Sequence, residues 1–131
     1  MTVLEQLAEF VKDAEGKMAQ SKWLADDTMN VYVRRGFHYI DGLPRICLDI
    51  ASVTVAVEQQ GTWTGFIWKA HDLNPWDCTF VECVHNPHLA SWLLRNGFAP
   101  TEGMESYYLP KDPEKWKTSS QSSRTSIPTT F

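Results

Sequence analysis

The stretch L-D-I-A-S-V-T-V-A-V-E-Q-Q-G-T-W-T-G-F-I, residues 48–67, decides the fold. Its first ten residues are nearly continuously apolar, the pattern of a strand covered on both faces and lying at the centre of a sheet. The chain then passes through Glu58, Gln59, Gln60 and Gly61 and re-enters apolar sequence, with Trp63, Ile67 and Ala70 on one helical stripe that ends at Asn74-Pro75. A strand that gives way to a helix leaves the helix's first-turn N–H groups unpaired and points the positive end of its dipole outward. Gly61 and Gly65 bracket this turn. Glycine lets the main chain approach a phosphate without a Cβ in the way, and the hydroxyls of Thr62 and Thr64 add donors. Conformational need alone also explains glycine at a tight turn, so the turn is a candidate anion site and needs its surroundings to support it.

Upstream, the central strand is read from Arg45 to about Val57. It is preceded by M-N-V-Y-V-R-R-G-F-H-Y-I (29–40) and the turn residues Asp41-Gly42-Leu43-Pro44, which together predict a hairpin. Before the hairpin, Val3, Leu4, Leu7, Phe10, Val11, Ala14 and Met18 follow helical spacing, with Thr2 as N-cap and Glu5 as its capping-box partner. Downstream, C-T-F-V-E-C-V (78–84) reads as a short buried strand. N-P-H-L-A-S-W-L-L-R-N-G-F (86–98) reads as a helix with Asn86 as cap, Pro87 at its first position, Leu89, Leu93 and Leu94 inward and Gly97 as its stop. A last strand is expected near Met104 to Leu109. The fold class is therefore α+β, a mixed and mostly antiparallel central sheet with helices on both faces. Residues 1–110 form one domain, and 111–131, dense in Ser and Thr, are expected as a flexible tail on which Trp116 or Phe131 offers a docking point.

The 131 residues suffice for one core. Sixteen acidic side chains oppose twelve basic ones, and the body before Lys111 carries a net −6, which argues against nucleic-acid binding and favours cationic partners. No run of ~18 apolar residues and no secretory leader is present, so a cytoplasmic protein without membrane association is expected. Cys47, Cys78 and Cys83 form no C-x-x-C pair and read as small hydrophobes. Cys83-x-His85-x-x-His88 has no fourth ligand nearby, and no metal is expected.

The order of helix, hairpin, glycine turn and helix, then strand, Asn86, helix and Gly97-Phe98, resembles the GNAT superfamily of acyl-CoA N-acyltransferases, in particular the short GNAT-like proteins of bacteriophages. The resemblance runs from Val31 to Leu109 and lacks the N-terminal strand of larger members. It rests on L-D-I-A-S-V-T-V, G-T-W-T-G-F-I and V-E-C-V-H-N-P-H-L-A-S-W-L-L-R-N-G-F. The family's loop pattern Q/R-x-x-G-x-G/A is met imperfectly in two registers. One starts at Gln60, has Trp63 where a glycine belongs and ends on Gly65; the preferred one starts at Glu58, has Gly61 as its central glycine and ends on Trp63.

The resemblance implies acetyl-CoA as co-substrate, lying across splayed strand ends. Its pantetheine would pair with backbone near Val55 and Val57, and its pyrophosphate would lie on Gln60, Gly61, Thr62, Trp63, Thr64 and Gly65, close to Asn86. A primary amine, on a small molecule or a protein, would enter from the opposite side and attack the thioester directly. The family's usual acid, a Tyr five places before the Gly-Phe aromatic, falls here on Leu93. The catalytic candidates are therefore Glu82, Asn86, Tyr107 and Tyr108, with Asp49 a further candidate base. Each has a structural alternative: Glu82 paired with Arg34 or Arg35, Asp49 as a hydrogen-bonded structural acid, Asn86 as a helix cap, and Trp63, Trp68 and Trp92 as core or cleft wall. A GNAT-like binding protein without turnover is the rival reading, and a homodimer is compatible with either.

Overall fold

The computed structural model describes residues 1–17, 20–56, 61–82, 84, 86–101 and 105–116. Helix α1 (Val3–Ala14) starts where Thr2 Oγ1 accepts from the Glu5 amide at 3.1 Å and Glu5 accepts from the Thr2 amide at 2.8 Å, the reciprocal cap its sequence encodes. Val3, Leu7, Phe10 and Ala14 form its buried stripe. Three strands follow: β1 (Ser21–Ala25), β2 (Met29–Ile40) and β3 (Leu43–Val55). The sequence does not announce β1, because only Leu24 of its five residues is buried and no alternation marks it. Gln6 of α1 holds it in place, accepting from the Ala25 amide at 3.1 Å and donating to the Ala25 carbonyl at 2.6 Å.

Asp41 and Gly42 turn the β2–β3 hairpin with φ of 56° and 78°, a two-residue geometry whose twist matches the strands it joins. β3 accordingly begins at Leu43 rather than Arg45. It is described to Val55, and Val57 lies outside the described residues. Then come α2 (Thr62–Leu73), β4 (Cys78–Val81), α3 (Pro87–Arg95), β5 (Ala99–Pro100) and β6 (Tyr107–Pro110). The two-residue β5 was not expected, the last strand starts at Tyr107, and Met104 lies outside the described residues. In α3 Leu93 is fully buried as expected, whereas Leu94 faces solvent at 50 % exposure.

The six strands lie in the order β1-β2-β3-β4-β6-β5, and every neighbouring pair is antiparallel except β3 and β4. This is the expected mixed sheet, with β3 near its centre. Buried residues of α1, α2 and α3 join Val31, Val33, Leu48, Ile50 and Val81 in one core on one face. On the other face Ile40, Cys47, Cys78 and Phe80 are covered by Trp116, carried on the helical turn 113–116. Trp116 stacks on Tyr108 at 5.8 Å, and the Arg45 guanidinium sits 3.8 Å from its ring centroid. Residues 111–116 thus pack with the fold, Trp116 docks on its own sheet, and 117–131 of the expected tail lie outside the described residues. Cys47 and Cys78 touch across β3 and β4, Sγ to Sγ 2.8 Å. That contact and their burial push the Cys47 thiol far up, so it stays protonated and packs as a small apolar group.

Parallel pairing of β3 with β4 covers only Cys47–Ile50 against Cys78–Val81, followed by one bond from the Glu82 amide to the Ile50 carbonyl at 3.0 Å. Among the described residues, β3 continues beyond it to Val55 without a partner on that side, while the Val84 amide turns to the Glu105 carbonyl at 2.6 Å. The two strands part, and the sheet opens.

Asp26 locks the N-terminal corner. One carboxylate oxygen accepts from the Val3 amide at 2.8 Å, and the other accepts from the Thr28 amide and hydroxyl and the Met29 amide. The Thr28 hydroxyl, followed by these amides, holds its pKa down to about 2 against the opposing effect of burial. A depressed carboxylate contributes stability above its unfolded pKa and loses it as pH falls through the folded value. Asp26→Asn should therefore lower unfolding free energy at pH 7 by roughly 1 kcal/mol, the solvent-screened value of such bonds. In urea titrations across pH the gap to wild type should narrow below about pH 4 and vanish near pH 2.

Candidate active site

Gly61 is the N-cap of α2 with φ 73°, a left-handed conformation that glycine adopts without strain. No side chain caps this helix, no acidic residue occupies its first turn, and its ladder begins with the Gly65 amide on the Gly61 carbonyl at 2.9 Å. The first-turn amides of Thr62, Trp63 and Thr64 are thus free of intrahelical partners and lie at the positive end of a twelve-residue helix. They open on a cleft of about 480 Å³. Val53–Val55 of β3 form one wall, Gly61–Thr64 the end, and Asn86, His88, Leu89 and Trp92 of α3 and its cap the other wall. Trp63 meets Trp92 edge-on at 6.1 Å, and Trp92 meets Trp68 at 5.8 Å, so the indoles fasten α2 to α3 and leave the cleft open.

A second hollow of about 250 Å³ lies in the gap between the parted strands, bounded by Ile50–Val53 on one side and by Val81, Glu82 and Val84 on the other. It shares Val53, Trp63, Asn86 and Leu89 with the larger cleft. The arrangement is an elongated groove with a short continuation into the sheet, and the positive end of α2 at its mouth can attract an anionic group.

Of the residues named from the sequence, Val55, Gly61, Thr62, Trp63, Thr64 and Asn86 are gathered around the large cleft, and Glu82 lines the interstrand hollow. Gly65 lies elsewhere: with Gly61, Thr62 and Lys69 it lines a smaller depression against the start of α1. Val57 and Gln60 lie outside the described residues, as do Cys83 and His85. Asn86 is the cap of α3, its Oδ1 accepting from the His88 and Leu89 amides at 2.8 and 3.3 Å. Tyr107 packs against the main core and Tyr108 lies on the opposite face under Trp116. Neither lines either hollow, and burial raises the Tyr108 phenol above its ordinary value.

Glu82 is paired with Arg34, not Arg35, whose guanidinium donates to the Lys17 carbonyl and sits over Phe37 and Trp76. Asp49, 1 % exposed, receives the His38 Nε2 hydrogen bond on both oxygens, at 2.9 and 3.0 Å, and has Arg34 Nε at 3.6 Å. Sequence reasoning had not singled out His38. Gly36, alone inside a strand pattern, was the available signal, since glycine there marks a close approach. A Cβ on Gly36 would stand 2.0 Å from an Asp49 oxygen.

No protein-family profile and no curated protein sequence matches the chain. Among solved structures it is similar to a mutant of the toxin AtaT bound to the C-terminus of the antitoxin AtaR and to acetyl-CoA, with a TM-score of 0.56. The match covers 77 % of this chain and 73 % of that one at 13 % identity. The fold is GNAT-like. At that identity the likeness is one of overall architecture alone.

Gly36→Ala should cost about 1–3 kcal/mol of unfolding free energy, as overpacking against a carboxylate that has nowhere to retreat. Chemical denaturation would read the loss directly. Gly65→Ala, whose Cβ would meet no heavy atom within 4 Å, is the control and should instead gain up to ~1 kcal/mol from helix propensity.

Proposed function

We propose that the protein is an acetyl-CoA-dependent N-acetyltransferase acting on a primary amine. The observation that carries this reading is the uncapped start of α2 opening on a cleft that runs into the gap between β3 and β4. The fold likeness to a protein solved with acetyl-CoA supports it. In this reading the amides of Thr62, Trp63 and Thr64 hold the pyrophosphate, and the pantetheine arm follows the unpaired edge of β3 toward Val53. The acetyl group reaches the hollow beside Trp63 and Glu82.

The amine enters from the sheet face that α1–α3 leave uncovered and meets the Glu82 carboxylate. Once neutral, its nitrogen attacks the thioester carbonyl carbon: the C–N bond forms, the C–S bond breaks, and the departing sulfur takes a proton from the attacking nitrogen. That internal transfer replaces the missing tyrosine acid, since Leu93 is buried in the core and neither Tyr107 nor Tyr108 lines the hollows. The same buried Leu93 favours the rival reading, a GNAT-like module that binds acetyl-CoA and a partner protein without turnover.

Calorimetry with acetyl-CoA, paired with a thiol-release assay against a panel of amines, tests both. Binding with release supports the enzyme, binding without release the module, and no binding removes both. Thr64→Glu sits at the third position of α2, where a carboxylate favours the helix and opposes an anion. Its thermal midpoint should hold or rise while acetyl-CoA affinity falls at least tenfold, about 1.4 kcal/mol. Unchanged affinity would remove this helix start from the site.

A further inference from the structure

We propose that Asp49 and His38 form an acid–base dyad that carries the acceptor's proton from Glu82 to solvent. The proposal rests on the acetyltransferase reading and adds a proton route to it. Arg34 and His38 of β2, Asp49 of β3 and Glu82 just past β4 alternate with core residues such as Val33, Ile50 and Val81, so all four lie on the face opposite α1–α3. Their exposure is graded. Asp49 is sealed at 2 % of its side chain, Glu82 shows 18 % at the interstrand hollow, and His38 shows 25 % at the outer surface.

Sealing a carboxylate is expensive, and a buried ion pair stabilises a fold no better than well-packed apolar side chains of the same volume. Packing therefore does not explain Asp49, and glycine at position 36 is what leaves room for it. Both its oxygens take the same imidazole nitrogen, Nε2, which leaves Nδ1 as the outer end of the pair. The ring lies flat on Phe80, centroids 3.8 Å apart and planes 6° apart, so its orientation is set from below. A buried carboxylate that orients a histidine and steadies its protonated form is a recurrent acid–base device. One donor atom each from His38, Asp49 and Glu82 lie within 4.8 Å of one another, a span that a single water bridges.

Arg34 pairs with both carboxylates. Its guanidinium stays protonated throughout and so orients Glu82 without carrying the proton. The other titratable or charged groups on this face near His38 are Arg45 and Cys47 from β3, Cys78 from β4 and Tyr108 from β6, and Arg45 is turned onto Trp116.

The step balances as a proton transfer. The acceptor ammonium gives a proton to Glu82, and one water passes it to Asp49; Asp49 hands it to Nε2 of the Nδ1–H tautomer, the resulting imidazolium releases its Nδ1 proton to solvent, and exchange of the ring proton from Nε2 back to Nδ1 resets the pair. The amine keeps its lone pair for the thioester.

The test uses the full chain, acetyl-CoA and benzylamine as a small amine probe. His38→Gln keeps an uncharged donor for Asp49 and removes the titration. Expected are an unchanged thermal midpoint and acetyl-CoA affinity. At pH 7 kcat should fall tenfold or more, within the ~10²–10⁴-fold range of acid–base groups. The deficit should close at about pH 10, where an ordinary alkylamine is close to half neutral. A deficit that is the same at every pH would overturn the dyad while leaving the transferase standing. Nitrogen-15 NMR of the imidazole gives a second readout that needs no turnover: at fixed pH, Glu82→Gln should move the His38 Nε2 resonance, because the water link to Asp49 loses its carboxylate. An unmoved resonance would also overturn it. Failure to bind acetyl-CoA or to acetylate any amine counts against the transferase itself, and the NMR result then decides the coupling alone.

Discussion

Parallel strands β3 and β4 share only four paired residues and one further hydrogen bond before they separate. The interstrand hollow, and with it the proposed acetyl-transfer site, depends on that brevity. A longer ladder would close the gap into ordinary sheet. Among the described residues, the edge of β3 beyond Ile50 faces a gap with Glu82 at its rim, and the start of α2 lies at the mouth of the adjoining cleft. The backbone thus supplies donors from a helix end and from a strand edge to one groove, without help from cationic side chains. In a chain whose body is acidic, fixed amide dipoles can attract an anion where the net charge would repel it.

The two faces of the sheet have been given different work. One receives three helices and an apolar core, with the indoles of Trp63, Trp68 and Trp92 binding α2 to α3. The other carries a line of ionisable groups, Arg34, His38, Asp49 and Glu82, and is closed at one end by Trp116. The proposed reaction between an anionic donor and a cationic acceptor would suit such a division, with the two substrates meeting at the interstrand hollow.

Much of this was legible in the sequence. The cap of α1, the Asp41-Gly42 hairpin, the bounds of α2 and the Asn86-Pro87 start of α3 are local chemistry, and each formed as the residues dictate. So were six of the residues around the large cleft, because a glycine turn between a strand and a helix can face only one way. What escaped was long-range. β1 has a single buried side chain, and its place is fixed by Gln6, nineteen residues before Ala25. Trp116 sits in a polar segment whose composition says tail, yet its partners Arg45 and Tyr108 lie elsewhere in the chain. Tyr107 and Tyr108 were read as alternatives for one role, although neighbouring strand residues point to opposite faces and neither reaches the cleft. The His38–Asp49 contact was signalled only by a glycine two residues away.

Asn86 stands between the two hollows with its carboxamide oxygen already spent on a pair of main-chain amides. Both lone pairs are engaged, so what the side chain has left for a guest is its NH₂ group. The Asn86 side chain can therefore give a hydrogen bond at that point but not take one. A carbonyl or phosphoryl oxygen would suit it, while a hydroxyl or amino hydrogen could pair with its oxygen only by unravelling the opening turn of α3.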